Sequence, residues 1–225
     1  VKYYLTGIGK AFPGIATTLE ITVFAVVLGI VLGLIVALLK LSKHKVPRII
    51  GSVYVEILRG TPLLVQALIW YAGVPMLLQS NGIDFTWRGS EVFCGVLACG
   101  INSSAYVGEI IRAGLQAIDQ GQVEAARSLG MTHVKTMRYI VIPQAIRIIL
   151  PALGNEFVTL IKETAVLSII SIEEITRKGV LWASQSYMFW QAYIGVAIVY
   201  LCLTIPLSRV MAYAERRMAQ SDRSK

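Results

Sequence analysis

Apolar residues along this chain come in long unbroken runs rather than at alternating positions. The first run is Thr17 to Leu39, "TTLEITVFAVVLGIVLGLIVALL". It reaches the roughly 20 residues that a membrane span needs. Further runs predict spans at about 50–78, 92–111, 150–172 and 189–210. The second of these is broken. "IIGSVYVEIL" carries a helical stripe of Ile49/Ile50, Val53/Tyr54 and Ile57/Leu58; "RGTP" interrupts it, and "PLLVQALIWYAGVPMLL" resumes. Thr61 suits an N-cap at this break and Pro62 the first helical turn. "VKYYLTGIGK" fits a segment lying along the membrane interface with Tyr3 and Tyr4 as anchors. No cleavable signal pattern is visible, and the first apolar run is long enough to stay as a span. The pattern predicts one all-α integral membrane domain, 1–225, with five transmembrane helices.

Composition agrees. Of 225 residues, 56% are hydrophobic and only 15% charged, against about a quarter charged in a soluble domain. The net charge of +8 invites a nucleic-acid reading, but its distribution argues for topology. Five spans put the termini on opposite sides. With the N-terminus outside, fifteen of the 21 Lys and Arg residues fall on the cytoplasmic side, Lys40, Lys43, Lys45, Arg48 and Arg216 among them. Lys2, Lys10, Arg88, Arg177 and Lys178 fall outside, and Lys162 lies within a span. Positive residues favour the cytoplasm, so no nucleic-acid partner is expected. Cys94, Cys99 and Cys202 sit in apolar runs without metal-ligand spacing and read as small buried hydrophobes.

One cytoplasmic stretch breaks the apolar character: "QVEAARSLGMTHVKTMRYIVIPQA", Gln122 to Ala145. Ala125 and Ala126 keep one helical surface thin. Gly130 ends that helix, and a second short helix follows from Thr132 to about Ile140, with Val134, Met137 and Val141 at helical spacing. Pro143 is expected to mark the turn back to the membrane. Such a loop, about 119–143, suits docking into a groove of another protein, or it is a solvated loop with a charged face; the residues alone leave both open.

Within that stretch "EAARSLGMTHVKTMRYIVIP" resembles the EAA loop of ABC importer membrane subunits, through Glu124-Ala125-Ala126, Gly130 and Ile140-Val141-Ile142-Pro143. Ile142 stands where that pattern usually has Leu. "VEILRGTPLLVQ", "INSSAYVGEIIRAGL" and "LPALGNEFVTLIKETAVLSIISIEEITRKG" resemble the polar amino acid permeases of the histidine, glutamine and arginine uptake group, with a lean toward the glutamine permeases. The resemblance implies the ABC type I importer transmembrane fold and a bacterial inner (plasma) membrane location. It implies that Glu124, Ala125, Ala126 and Gly130 dock as coupling helices into a cytoplasmic ABC ATPase dimer, which binds ATP and Mg. It further implies a second permease subunit, as homodimer or homologous heterodimer, and a separate extracytoplasmic solute-binding protein. No phosphate-binding loop of the G-x-x-x-x-G-K-[ST] type occurs, so the chain is not expected to be an enzyme or to carry a cofactor of its own.

Polar residues inside spans are costly and are candidates for function. Asn102, Ser103, Ser104 and Tyr106 form one band, and Lys162, Glu163 and Thr164 another. A zwitterionic amino acid needs donors for its carboxylate and acceptors for its ammonium. Asn102, Ser103, Tyr106, Lys162, Glu163 and Thr164 are therefore the candidate substrate pathway, with Glu163 foremost. The alternative is structural, because Ser103, Ser104 and Gly108 also let helices approach. Glu109 and Arg112 fit a local ion pair. Glu56, Arg59 and Pro62 are candidates for a hinge or gate, or for interface anchors. A secondary, ion-driven amino acid transporter would show internal repeats, and none is visible. A non-transporting scaffold has no need of Lys162 and Glu163 in mid-span.

Overall fold

The computed structural model describes residues 2–85, 87 and 89–223; Arg88, assigned above to the outside, and Lys225, one of the fifteen cytoplasmic cations, lie outside the described residues. Every regular element among the described residues is helical. In chain order these are α1 (Lys2–Ala11), α2 (Gly14–Leu41), α3 (Lys45–Gly60), α4 (Leu63–Ser80), α5 (Ser90–Gln116), α6 (Gln120–Ser128), α7 (His133–Ile170), α8 (Ile175–Ser186) and α9 (Phe189–Arg223). Five stretches are long and apolar enough to cross a membrane: Lys2–Leu41, Leu63–Ser80, Ser90–Gln116, His133–Ile170 and Phe189–Arg216. The protein is an all-α, multi-pass membrane protein.

The outward faces say why water is the wrong solvent. Val23, Phe24, Val27, Val31, Leu34, Ile35 and Leu38 of α2 are all exposed on one surface. A soluble protein rarely leaves so large an apolar patch open, whereas hydrocarbon accepts it. Between helices, hydrophobic driving force is weak in lipid, so close approach and hydrogen bonding hold them together. The centre of the molecule is α5, which lies against α2 along most of its length. Glycines set that distance. A Cβ on Gly33 would come within 2.7 Å of Val107 Cγ1, and one on Gly108 within 2.9 Å of Val36 Cγ1. Ile21 and Ala25 of α2, Ala98 and Cys99 of α5, Ala67 of α4 and Leu160 and Leu167 of α7 close into one buried cluster. Cys94 and Cys99 are buried as expected, but Cys202 is exposed. It lies on the outer side of α9, beside the exposed Leu201, where an apolar run faces lipid rather than protein.

Several boundaries differ from the sequence reading for a common reason, the behaviour of proline. Thr61 is not the N-cap of α4. It is extended (φ −118°, ψ 144°), as a residue before proline prefers, and Pro62 takes the cap position without a side-chain cap bond. The Thr61 hydroxyl instead donates backward to the Ile57 carbonyl at 2.8 Å. Pro143 does not turn the chain: α7 continues through it. A π turn at Met137–Val141 precedes it, closed by the Ile142 N–H on the Met137 carbonyl, so the helix widens where the proline ring would strike the carbonyl one turn back. The same device precedes Pro75, with a π turn at Ile69–Gly73.

At the other end of the molecule α1 packs on α9. Gly7 and Gly195 meet so closely that a Cβ on Gly195 would lie 2.6 Å from the Gly7 carbonyl carbon. The N-terminal segment is thus a packed helix, with Tyr3 and Tyr4 left exposed on its outer side. Glu174 caps α8, accepting from the Thr176 and Arg177 N–H groups at 2.8 and 2.7 Å and from the Tyr200 hydroxyl at 2.8 Å. Burial pushes its carboxyl above the ordinary range, against the pull of these hydrogen bonds.

Gly33→Val is expected to destabilise the protein by about 1–3 kcal/mol through overpacking against Val107, read as a lower melting temperature in detergent. Gly9→Val, where no atom lies within 4 Å of the added Cβ, is the control. Equal melting of the two variants would show that the α2–α5 crossing tolerates a larger separation.

Candidate translocation pathway and coupling surface

The polar band of α5 does not face one cavity; successive residues reach three different helices. Asn102, almost fully buried, donates through Nδ2 to the Gln66 side-chain oxygen at 3.1 Å and to the Leu58 carbonyl at 3.3 Å. Gln66 donates to the same Leu58 carbonyl at 2.9 Å and to the Thr61 hydroxyl at 2.8 Å. Leu58 stands four residues before Pro62, so its carbonyl would receive the N–H that proline lacks. The two amides supply the missing donor. Ser103 donates to Glu156 Oε1 of α7 at 2.7 Å. Ser104 pairs with the Tyr54 hydroxyl of α3 at 2.7 Å. Tyr106 lies under the Arg59 guanidinium, 5.0 Å from ring centroid to Cζ, within the range of a cation–π contact. The geometry therefore joins Arg59 and Pro62 of the hinge candidates to Tyr106 and Asn102 of the pathway candidates. Glu56 is exposed and makes no ion pair with Arg59 among the described residues.

On α7 the predicted residues separate. Lys162 is exposed, Glu163 is half-buried, and Thr164 is fully buried with its hydroxyl donating to the Ile161 carbonyl at 2.7 Å. Glu163 follows Glu156 by seven residues, two helical turns, so both carboxylates lie on the α5-facing side. Asn155, Thr159 and Lys162, spaced i, i+4 and i+7, form an exposed polar stripe next to them. Glu156, Asn155 and Thr159 were missed from the sequence, although their helical period with Lys162 and Glu163 in "GNEFVTLIKE" was there to be read. Gln66 and Tyr54 were also missed, because nothing local marks their partners, 36 and 50 residues away. Among the described residues no group of three or more His, Cys, Asp or Glu is placed to hold a metal ion.

The EAA stretch forms a compact angled pair. Asp119 caps α6 by accepting from the Gly121 N–H at 2.7 Å. Gly130 ends it at φ +83°. The Gly130 N–H reaches the Arg127 carbonyl at 3.0 Å and the Met131 N–H the Ala126 carbonyl at 3.1 Å, the paired bonds of a Schellman closure. Ala126 is buried while Glu124 and Ala125 are exposed. Gln144 donates to the Gln122 side chain at 2.6 Å, tying α7 back to α6. Of the residues at helical spacing in the second helix, Val141 is buried and Val134 is 73% exposed; Leu129, just before Gly130, is 85% exposed. Val134 and Leu129 are apolar side chains left exposed on either side of the Gly130 closure. Nearby, Glu109 pairs with Arg112 at 2.7 Å, as its spacing suggested, and also with Lys40 at the end of α2, which the sequence did not reveal.

A family model for the binding-protein-dependent transport system inner membrane component matches residues 29–220. The chain belongs to this family. It is 37% identical over 209 residues to the arginine transport system permease protein ArtQ of Bacillus subtilis (strain 168), covering 93% of this chain and 92% of that one. It is 36% identical over 218 residues to the nopaline transport system permease protein NocM of Agrobacterium fabrum (strain C58 / ATCC 33970), covering 96% and 90%. Among solved structures, a crystal structure of an amino acid ABC transporter with histidines superposes with a TM-score of 0.83 at 46% identity, over 93% of this chain and 94% of that one. An inward-facing MetNI methionine ABC transporter superposes at 0.64 with 17% identity over 98% and 96%, a likeness of fold alone. The protein is a membrane permease subunit of the polar amino acid group of ABC importers, with the type I importer fold. As a permease it associates with an ATPase and is not itself the ATP-hydrolysing subunit.

Replacing Gln66 by Leu in this permease leaves the Leu58 carbonyl with one long partner and removes the side-chain donor to Thr61. The expected cost is about 1–3 kcal/mol for an unsatisfied buried group, measured as loss of thermal stability. Gln66→Leu melting with the wild type would mean that water already serves the break at Pro62.

Proposed function

We propose that this permease imports a polar amino acid, with its N-terminus outside and its C-terminus in the cytoplasm, and that the EAA stretch transmits the partner ATPase's cycle to the pathway. One observation carries the reading. α7 starts at the exposed coupling surface around Val134 and runs on as a single helix, widened but not interrupted at Pro143, to Glu156 and Glu163. At about 1.5 Å per residue, Glu163, 29 positions beyond Val134, lies about 44 Å along the helix from it. A push on Val134 moves the carboxylates without an intervening loop to absorb it.

The exposed stripe of Asn155, Thr159 and Lys162 supports a second subunit, a copy of this chain or a homologue. Such residues in a span face a water-filled path or another protein rather than hydrocarbon. Lys162, Asn155 and Thr159 offer donors to a substrate carboxylate, and Glu163 an acceptor to its ammonium or a cationic side chain. The arginine and nopaline relatives are consistent with a substrate carrying an amino acid headgroup, delivered by a separate binding protein. Asn102 and Thr164 then act as supports, since their donors are already engaged by protein groups.

The test is the permease purified with its ATPase and binding protein, reconstituted in proteoliposomes and challenged with a panel of amino acids. Gly130→Pro removes the φ > 0 closure and is expected to abolish uptake with membrane insertion intact. Gly130→Ala, strained by about 1–2 kcal/mol in the left-handed region, is expected to couple partially. Undiminished ATP-driven uptake in Gly130→Pro would refute the coupling role. Glu163→Gln is expected to change which amino acids stimulate ATP hydrolysis; an unaltered profile would place Glu163 among the supports.

A further inference from the structure

An open cavity of about 520 Å³ lies where α2, α3 and α5 come together at one end of the spans; through Leu41 and Gln116 it adjoins the pocket that Val123 and Glu124 of α6 line. Lys40, Arg48 and Arg112 line it, with Ser42, Ser52 and Gln116 between them. Three cations face one carboxylate, Glu109, which is already paired with Lys40 and Arg112. The cavity thus keeps a net charge of +2. Arg48 is exposed and has no ion pair among the described residues. The uncharged groups are also set to donate. Gln116 accepts from Arg112 through its side-chain oxygen, which leaves its NH₂ for another partner. Ser42 Oγ accepts from the His44 N–H at 3.2 Å, which leaves its hydroxyl hydrogen free. A concave set of donors around surplus positive charge fits an anion with several oxygens, above all a phosphate.

The surroundings choose among phosphates. Arg48 and Ser52 are i and i+4 on α3, one turn apart on the side that faces the cavity. The next residues along, Ile49 and Val53, begin an apolar row with Ile50 and Ile57, all 46–58% exposed. On α2, Leu38, two residues before Lys40, is also 58% exposed. A charged cup bordered by an exposed apolar row at the end of a span matches a molecule with an anionic head and hydrocarbon tails. A free inorganic phosphate would make no use of the row.

We propose that this cavity binds the phosphate headgroup of an anionic phospholipid, with Arg48 as its principal contact and the tails laid along Ile49 and Val53. The site lies in the cytoplasmic leaflet if the orientation proposed above holds; binding itself does not depend on that orientation. Occupancy would bridge α2, α3 and α5 below the break at Pro62.

The experiment is native mass spectrometry of the permease assembled with its ATPase, stripped in neutral detergent and titrated with dioleoyl phosphatidylglycerol, dioleoyl phosphatidylcholine or inorganic phosphate. Phosphatidylglycerol is expected to be retained over phosphatidylcholine. Arg48→Gln is expected to weaken that retention about tenfold. Arg216→Gln, which removes a charge from the exposed end of α9, is expected to change it less than about twofold. If Arg48→Gln does not assemble, Ser52→Leu, which fills the cavity without a charge change, reads the same loss. Equal retention of the two lipids, or equal effects of the Arg48 and Arg216 variants, would overturn the site. Inorganic phosphate binding as tightly as the lipid would overturn the lipid assignment. None of these outcomes bears on amino acid uptake, so the import reading stands or falls separately.

Discussion

A backbone carbonyl in lipid has no water to turn to, and this requirement shapes the centre of the permease. Pro62 breaks the helical ladder between α3 and α4, and the Leu58 carbonyl loses its usual donor. Asn102 and Gln66 replace it with two side-chain amides from different helices. Because each unpaired group in hydrocarbon costs several kcal/mol, the repair also fixes how α5 sits against the broken helix. Ser104 with Tyr54 and Tyr106 with Arg59 extend the same contact toward either side. The break is thus held by neighbours rather than left loose, as a bend that must keep its shape in the membrane requires.

Proline is handled in a second way on α7 and α4. There the ladder is not cut but widened, by one π turn before Pro143 and one before Pro75. The consequence for α7 is mechanical continuity. A helix broken at Pro143 would isolate the coupling surface from the membrane interior; a helix widened there keeps Val134 and Glu163 on one body. Two solutions to one chemical deficit give the molecule a fixed bend in one span and a long lever in another.

Electrostatics follow the same division between interior and edge. Inside, Glu156 is matched by the Ser103 hydroxyl, and Glu156, Lys162 and Glu163 lie on adjoining faces of α7. At the ends, Glu109 binds Lys40 and Arg112 across two helices, and cations outnumber carboxylates there. The positive excess that the sequence shows as a topological bias becomes, in three dimensions, a shaped cavity at the ends of the spans.

Much of this was legible in the chain alone. Apolar runs of about 20 residues show the five membrane-crossing stretches, because length and hydropathy are local properties. Gly130 as a helix stop and Glu109–Arg112 as a pair were equally local, resting on a backbone dihedral and on i,i+3 spacing. Pro143 was misread, since a proline in a sequence signals a missing donor but not whether the helix breaks, as at Pro62, or widens. Thr61 was misread because its hydroxyl chose the preceding turn over the following one. The partners of Asn102, Ser103 and Ser104 were out of reach altogether. Sequence determined that these side chains had polar atoms to satisfy within an apolar span. Only the packing of α3, α4 and α7 around α5 decided which distant carbonyl, carboxylate or hydroxyl would satisfy them, because a hydrogen bond depends on distance in space and not on separation along the chain.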